Sequence, residues 1–365
     1  MSTVSNNTPP DASHYISATA FELDRERIFN RTWHCVAHVS ELSQRGDYVC
    51  HDIINERVFV VRDSDGELRG FHNLCRHRGH PLVEGRGHVD GRLICPYHAW
   101  TYELDGRLRG IPGAAASDKQ GIQNICLKPV NIEVYASFVF VNLDLGAQPL
   151  KDTLSGIEVE LESFYPDLNA LRFVCETEIP HQCNWKISIE NYNECYHCPT
   201  VHSSTLTRGV LSMTGYTVTP KGPSIWHEGK AQTENDKLYD YDVSHSERAG
   251  DYAGYWIWPL VSLCCYPGGF FTIRQWIPID HCNTIYRYRW FSDGRLDDEA
   301  VRALMENHRT TTGAEDEIVV AKIQNAMQST AFEPGPYVVG DGCGPLSEVG
   351  VRHFHSLYRQ ALNLH

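Results

Sequence analysis

The stretch of sequence that decides the fold is residues 75–100, CRHRGHPLVEGRGHVDGRLICPYHAW. It contains two thiols and two imidazoles in paired clusters, Cys75 with His77 and Cys95 with His98. Each pair follows a strand-like run, so two tight loops can bring the four side chains to one point. Two cysteines and two histidines bind either a zinc ion or a [2Fe–2S] cluster with the cysteines on one iron and the histidines on the other.

The spacing of these ligands separates the two alternatives. A zinc finger usually presents C-x2–4-C followed by H-x3–5-H, whereas here each loop contributes one Cys and one His. The residues that follow each pair, R-G-H and A-W, also fit a cluster site. The motif C-x-H-R-G-H…C-P-Y-H-x-W resembles the Rieske domain of ring-hydroxylating and related oxygenases. This resemblance identifies Cys75, His77, Cys95 and His98 as the ligands of a [2Fe–2S] cluster.

Histidine ligation has a physical consequence for such a cluster. Neutral imidazoles in place of two thiolates reduce its negative charge and raise its potential to about −150 to +300 mV, against about −400 mV for plant-type ferredoxins. The resemblance implies that the cluster accepts electrons from a ferredoxin or flavin reductase, which draws on NADH or NADPH, and passes them to a second iron. We therefore expect a second iron site further along the chain.

A second group of candidate ligands lies in residues 187–202, ISIENYNECYHCPTVH. His197 and His202 are five residues apart, which places them about 140° apart on an ideal helix. Pro199 disfavours helix at the preceding residue, so we expect the chain to bend there and bring His202 round. Glu194 lies three residues before His197 and is expected on the same helix face. Two histidines with one carboxylate form the facial triad that binds Fe(II) and leaves positions open for oxygen.

The third ligand must come from elsewhere, and residues 313–325, GAEDEIVVAKIQN, offer three adjacent acids on a predicted helix. Glu315, Asp316 and Glu317 could instead complement the positive end of the helix dipole. The resemblance to Rieske oxygenase α subunits selects Asp316, which lies eight residues before Gln324 in the pattern E-D-x7-Q. Glu315 and Glu317 remain the competitors.

The resemblance to the oxygenase α subunits covers nearly the whole chain. It implies that the acid three residues before the first histidine, here Glu194, bridges that histidine to a Rieske histidine of a neighbouring chain and carries the electron. A homotrimer is the assembly it implies, because electrons pass between neighbours. Most members have Asp at this position, and Glu in the sequence E-C-Y-H-C resembles the subgroup of carnitine and glycine betaine oxygenases.

The substrate is predicted less directly, from a run of aromatic residues between positions 252 and 291. Most of them are expected in the core, but some must line a pocket above the mononuclear iron. An aromatic cage binds a quaternary ammonium group by cation–π attraction, and tyrosine and tryptophan can equally line a slot for a flat aromatic compound. The main hypothesis is hydroxylation of a carnitine- or betaine-like quaternary ammonium or N-methyl compound, with C–N cleavage or demethylation. The alternative is hydroxylation or dihydroxylation of an aromatic acid or amine.

Bulk properties exclude several other classes of protein. The net charge of −14 and the lack of a basic block argue against a nucleic-acid partner. No run approaches the ~20 apolar residues of a membrane span, and residues 1–15 lack the features of a signal peptide, which predicts a cytoplasmic protein. The thirteen cysteines are then expected to be thiols and metal ligands, with Cys195 and Cys198 as buried bystanders. A non-catalytic electron carrier would have no use for a second iron site.

These observations predict an α+β protein with a definite domain order. Residues 1–34 form an N-terminal arm with a helix over 21–33, and residues 35–150 form the Rieske β-domain, with strands at 57–62 and 136–143. A helical stretch over 146–165 leads into a mononuclear iron domain at 151–365. By resemblance, this second domain is of the helix-grip type, a curved antiparallel sheet around a long helix.

Overall fold

The computed structural model describes residues 8–115, 124–154, 156–232, 244, 247–340 and 342–364. The chain forms two compact units. One is residues 29–150, and the other joins the described residues up to 28 to those from 151 onward. The N-terminal helices therefore belong to the same unit as the C-terminal half of the chain.

The unit of residues 29–150 is built from ten short strands in three antiparallel sheets, ordered β1-β10-β9, β4-β3-β2-β5 and β6-β7-β8. The strands are β1 (His34–His38), β2 (Asp47–Ile53), β3 (Glu56–Arg62), β4 (Leu68–His72), β5 (Arg86–His88), β6 (Arg92–Ile94), β7 (Thr101–Glu103), β8 (Leu108–Gly110), β9 (Asn131–Tyr135) and β10 (Phe138–Asn142). The strands predicted at 57–62 and 136–143 correspond to β3 and β10. Four consecutive residues of β3, from Val58 to Val61, are fully buried, since core packs on both faces of this strand.

The turn between β3 and β4 follows from the chemistry of Asp63 and Gly66. The Asp63 carboxylate accepts hydrogen bonds from the backbone N–H groups of Asp65 and Glu67, both at 2.9 Å. Gly66 takes a φ of 88°, a conformation that side chains with a Cβ rarely adopt. A carboxylate and a glycine therefore fix this hairpin.

The other unit contains ten helices among its described residues and one seven-stranded antiparallel sheet, ordered β11-β17-β16-β15-β14-β13-β12. The helices are α1 (Ser13–Ile16), α2 (Ala18–Arg27), α3 (Leu150–Thr153), α4 (Ile157–Phe164), α5 (Trp185–Tyr192), α6 (Cys198–Val201), α7 (Leu206–Gly209), α8 (Asp298–Thr310), α9 (Thr312–Ala326) and α10 (Val349–Leu362). The strands are β11 (Arg172–His181), β12 (Leu211–Lys221), β13 (Ser224–Ala231), β14 (Asp251–Ile257), β15 (Val261–Tyr266), β16 (Phe270–Asp280) and β17 (Asn283–Ser292).

Two helix predictions need correction in their bounds. The helix predicted over 21–33 is α2, which begins at Ala18, where Ser17 caps it, and ends at Arg27. A short 3-10 turn, Phe29–Arg31, then leads into β1. The stretch predicted over 146–165 is divided into α3 and α4. No helix in the described ranges is long and apolar enough to cross a membrane.

Helices α5, α8 and α9 pack on the large sheet, and two features bring α5 and α9 together beside it. Gln324 on α9 accepts a hydrogen bond from the backbone N–H of Asn184, the residue that caps α5, at 2.7 Å. Gly313 lets the start of α9 approach β11, because a Cβ there would lie 2.4 Å from Cδ1 of Ile179. The loop that follows α5 therefore lies beside the acidic residues of α9.

Candidate metal centres

Cys75 and Cys95 begin two loops with the same hydrogen-bond pattern. The Cys75 N–H donates to the carbonyl of His80 at 2.9 Å, and the Cys75 carbonyl accepts from Gly79 at 2.8 Å. Cys95 makes the same two bonds, with the residues five and four positions later, at 2.8 and 2.9 Å. The fourth position after each cysteine has a positive φ, 73° at Gly79 and 55° at Ala99. Two matching tight loops thus aim one cysteine and one histidine each toward a shared site.

The donor set of these loops fits a Rieske cluster. Both sulfurs are buried. Burial and a hydrogen bond between the two cysteines raise the pKa of the Cys95 thiol. The imidazoles of His77 and His98 are exposed, with ring centroids 4.8 Å apart. Soft thiolates on the inner side and imidazoles on the outer side match an asymmetric cluster with one iron bound by each pair.

Tyr102 is a further residue of this site that sequence reasoning did not identify. Its hydroxyl accepts the N–H of Arg76 at 2.9 Å and lies 3.3 Å from Sγ of Cys75. Since the hydroxyl accepts from Arg76, its own proton can be donated to the sulfur. Hydrogen bonds to cluster sulfurs raise the reduction potential, so Tyr102 is placed to tune it.

His197, His202 and Asp316 come together in the other unit, although Asp316 is more than a hundred residues from the histidines in sequence. The two Nε2 atoms lie 3.2 Å apart. Oδ1 of Asp316 lies 3.5 Å from Nε2 of His197 and 3.1 Å from Nε2 of His202. Neighbouring donors around one ion with bonds of about 2.1 Å are about 3 Å apart, so these three fit a facial triad.

The route by which the chain reaches this geometry differs from the prediction. Helix α5 ends at Tyr192, so Glu194 lies in the loop between α5 and α6 and does not share a helix face with His197. Pro199 does not break a helix at Cys198. It lies in the first turn of the short helix α6, where its missing N–H is no loss. The change of direction that brings the two histidines together therefore occurs between the two helices, at residues 193–197.

Each histidine of the trio has a carboxylate on its other nitrogen. Glu194 contacts Nδ1 of His197, and Glu315 lies 2.7 Å from Nδ1 of His202. The Thr205 hydroxyl donates to the same Glu315 oxygen at 2.7 Å. Such partners fix the tautomer that leaves Nε2 free for a metal, and they raise the basicity of the ring.

Asn191 holds the third ligand. Its Nδ2 donates to Oδ1 of Asp316 at 3.1 Å, from the last turn of α5. Sequence reasoning did not identify Asn191, because a contact across 125 positions leaves no local pattern.

The electrostatics of the trio are those of a site prepared for a cation. Burial lowers the pKa of His197, but hydrogen bonds with Asp316 and Glu194 outweigh it and raise the pKa to about 10. Burial is likewise outweighed at His202, where hydrogen bonds with Asp316 and Glu315 raise the pKa. Burial raises the pKa of Asp316, but the two imidazoles hold it well below its usual range.

The sequence-based expectation that Cys195 and Cys198 are separate thiols is wrong. They form a disulfide across the turn that carries His197, with Cα atoms 4.9 Å apart. The Cys198 N–H donates to the Cys195 carbonyl at 3.1 Å, so the backbone already closes this turn. The other eleven cysteines, all among the described residues, form no disulfide.

A cavity lies beside the trio, and tyrosine is the most frequent residue type in its walls. Five tyrosines line it, three of them from the aromatic run noted in the sequence: Tyr192, Tyr216, Tyr252, Tyr266 and Tyr286. Two apolar residues, Leu206 and Leu211, and one cation, Arg274, complete much of the remaining wall. The hydroxyl groups of Tyr192 and Tyr252 both lie close to Gly254. A Cβ at this position would lie 2.6 Å from the first oxygen and 3.0 Å from the second.

Comparison with known proteins identifies the family of this chain. Residues 32–134 match the family described as Rieske [2Fe-2S] domain, and residues 168–363 match the ring hydroxylating alpha subunit (catalytic domain) family. The chain belongs to the ring-hydroxylating Rieske oxygenases. It is the oxygenase subunit of an oxidoreductase with a [2Fe–2S] cluster and a mononuclear iron, and its electrons come from NAD(P)H through a reductase. The predicted family and fold class are confirmed.

Individual proteins of this family can also be compared with the chain. The carnitine monooxygenase oxygenase subunit of Escherichia coli K12 is 33% identical over 360 residues, which cover 96% of this chain and 92% of that one. A solved quaternary ammonium Rieske monooxygenase, described for carnitine oxidation by gut microbiota and inter-subunit electron transfer, has a TM-score of 0.87 at 30% identity, covering 97% of this chain and 95% of that one. Naphthalene 1,2-dioxygenase from Rhodococcus sp. has a TM-score of 0.81 at 22% identity, covering 97% and 94%, a likeness of fold alone.

Proposed function

We propose that this oxygenase subunit hydroxylates a small quaternary ammonium or N-methyl compound. The observation that carries the proposal is the set of tyrosines that line the cavity beside His197, His202 and Asp316. An aromatic face attracts a quaternary ammonium group by about 0.5–2 kcal/mol per contact. Similarity to a carnitine monooxygenase over nearly the whole chain supports the same substrate class.

The proposed reaction inserts oxygen into a C–H bond beside nitrogen. The product is a hemiaminal, which collapses to an amine and an aldehyde, so the overall result is demethylation or C–N cleavage. The buried walls of the cavity keep bulk water from the reacting carbon, and the tyrosines hold the cationic nitrogen close to the trio.

Each metal ligand has a proposed role. His197, His202 and Asp316 hold the mononuclear iron, while Cys75, His77, Cys95 and His98 hold the cluster. When bound, the iron supplies oxygen activation and the cluster supplies stored electrons. In the metal-bound state, Glu194 and Glu315 accept the Nδ1 protons of their histidines and keep both Nε2 atoms directed at the iron.

Glu194 is proposed as the bridge for electrons arriving from a neighbouring chain. One oxygen of its carboxylate contacts Nδ1 of His197, and the other accepts the backbone N–H of His197 at 3.1 Å. The side chain is partly exposed, so this second oxygen can accept a further hydrogen bond from a Rieske histidine of another copy. The proposal includes a homotrimer, a ferredoxin or flavin reductase as electron donor, and a cytoplasmic location. It also includes domain limits at 34/35 and 150/151.

Oxygen uptake by the iron-loaded subunit, with a compatible reductase and NADH, tests the proposal. The substrate panel contains carnitine, glycine betaine, choline, proline betaine and several aromatic acids and amines, with products identified by mass. We expect coupled uptake with release of formaldehyde or an alkylamine from a quaternary ammonium compound. Turnover of aromatic compounds alone would replace this proposal with ring hydroxylation by the same iron sites.

A further inference from the structure

Arg274 is a buried cation in the wall of the catalytic cavity. It lies on β16, where the residues at even positions face the same side of the sheet as the tyrosines of β17. Only 8% of its surface is exposed, and it lines the same cavity as His197, His202 and Asp316. Its position therefore brings a permanent positive charge into the substrate space.

The partners of Arg274 are all neutral, including the rings of Tyr192, Tyr266 and Tyr288, whose centroids lie 5.0, 5.6 and 5.2 Å from its Cζ. Its guanidinium donates to the Tyr286 hydroxyl at 3.2 Å, to the Tyr266 hydroxyl and to Nε2 of His308 at 3.3 Å. Burial lowers the pKa of His308 to about 3, and burial raises the pKa of Tyr266 to about 12, so neither group carries a charge at neutral pH. The buried Nε of Arg274 has no hydrogen-bond partner.

Two other buried cations of this unit have a counter-ion. Lys186 has Asp24 at 2.6 Å, and Arg289 has Glu176 at 3.4 Å, whereas the buried Arg359 donates to the backbone carbonyl of Thr8. Among the described residues, no carboxylate lies within ion-pair distance of Arg274. A buried charge without a counter-ion is costly to maintain, so an anion supplied from outside is the expected partner.

We propose that Arg274 binds the carboxylate of the substrate, so the substrate is a zwitterionic betaine and not a simple cation. The inference rests on the proposed function and makes it more specific. A guanidinium forms charge-assisted hydrogen bonds with a carboxylate, and one Nη1 hydrogen of Arg274 remains after its bonds to Tyr286, Tyr266 and His308. The betaine cancels the charge of Arg274 at one end and offers its N-methyl group at the other. By contrast, a cationic substrate that has no carboxylate would add a second positive charge to the cavity.

Matched substrates test this on the unaltered holoenzyme. Each betaine that is turned over is compared with its own carboxyl methyl ester, which keeps the ammonium group and removes the negative charge. Glycine betaine and choline form a second pair. We expect kcat/KM for the acid to exceed that of the ester by about 100-fold or more, as for loss of one partner of a buried ion pair. Equal turnover of acid and ester would overturn the role of Arg274.

Variants then assign the effect to Arg274. Arg274→Gln should raise KM for the betaine by about 100-fold while leaving the ester nearly unaffected, and Arg274→Lys should recover part of the loss. Iron content and the cluster spectrum are measured for both variants, so that a misfolded protein is recognised. Equal losses for acid and ester in a correctly loaded variant would make Arg274 a residue of the fold only.

The panel separates failure of this inference from failure of the proposed function. Turnover of choline at the rate of glycine betaine would overturn the carboxylate site and keep the quaternary ammonium reaction. Turnover of aromatic acids alone, with their neutral amides inert, would overturn the quaternary ammonium reaction and support the carboxylate site at Arg274.

Discussion

Glu315 lies 2.7 Å from Nδ1 of His202, on the side of the ring opposite the Nε2 atom that faces Asp316. Two adjacent acids on α9 therefore contact the two nitrogens of one imidazole. Asp316 is placed as a ligand, and Glu315 is placed to orient the ring and fix its tautomer. The third acid, Glu317, has no such contact with the trio, which leaves it as a matched control.

Glu315→Ala is expected to weaken mononuclear iron binding by about 10- to 100-fold, because His202 loses the acceptor that fixes its ring. The measurement is the iron retained during titration with a chelator, with the cluster followed separately by its absorbance. Glu317→Ala, which removes the same charge from the same helix, should leave the affinity unchanged. Equal weakening by both variants would mean that net charge, and not the contact with His202, is responsible.

Asp316→Ala should abolish oxygenation and lower mononuclear iron affinity by more than about 100-fold, a larger loss than for the supporting acid. The cluster, whose proposed ligands lie in the other compact unit, should keep its absorbance and its paramagnetic signal on reduction. Survival of mononuclear iron and of oxygenation in this variant would show that another group completes the triad.

Parts of the fold were predictable because their signals are local. The consecutive apolar residues of β3 and the Asp63–Gly66 turn specify a strand and a hairpin within a few positions. Which face of α9 is buried was not predictable from its apolar residues. Ile318 is 57% exposed, while Asp316, Val320 and Gln324, spaced four apart, form the buried face. A functional helix here buries polar groups, which reverses the usual pattern.

The candidate ligands were proposed from short motifs, His197 and His202 from their spacing and Asp316 by resemblance, and the structure brings these three side chains together. The residues Asn191 and Tyr102, which contact candidate ligands, were not identified from the sequence. Asn191 contacts a residue that is distant in sequence, and Tyr102 contacts the other loop of the cluster site. Neither contact leaves a periodic pattern in the sequence. Arg274 carried one weak indication, a lone cation among aromatic residues in a strand.

Iron binding should strengthen as pH rises through the neutral range. Without iron, the His197 pKa is raised to about 10 by Asp316 and Glu194, against the effect of burial, so the ring is protonated at pH 7. A metal must displace that proton, so affinity should rise about tenfold per pH unit for each proton released. Chelator competition at pH 6.5, 7.5 and 8.5 measures this slope. A flat profile would show that His197 is already neutral in the metal-free site.

Glu194→Gln is expected to leave cluster and mononuclear iron in place while turnover falls to background. The amide keeps the size of the side chain but loses the charge that contacts His197. The decisive measurement starts from protein with a reduced cluster and follows its reoxidation by oxygen with substrate present. Glu194→Asp retains the charge and shortens the reach. Normal reoxidation in Glu194→Gln would overturn the bridging role, and loss of iron would make Glu194 a support for His197 instead.

The pair Lys186–Asp24 joins α5 to α2 and is predicted to control the stability of this unit. Both side chains are fully buried, with Nζ 2.6 Å from Oδ2, and the same oxygen accepts the indole N–H of Trp185 at 2.9 Å. Lys186→Met leaves the Asp24 charge buried without its cation, which should cost about 3–5 kcal/mol of unfolding free energy.

The double variant Asp24→Asn with Lys186→Met separates charge from packing at this pair. It removes both charges, and Asn keeps an oxygen for Trp185, so most of the stability should return. Thermal unfolding of the two variants and the parent measures the difference. Glu306→Ala breaks an exposed pair with Arg309 and should leave the midpoint unchanged. If the double variant is no more stable than Lys186→Met alone, the aliphatic stem and packing of the lysine, and not the buried charge of Asp24, stabilise this helix pair.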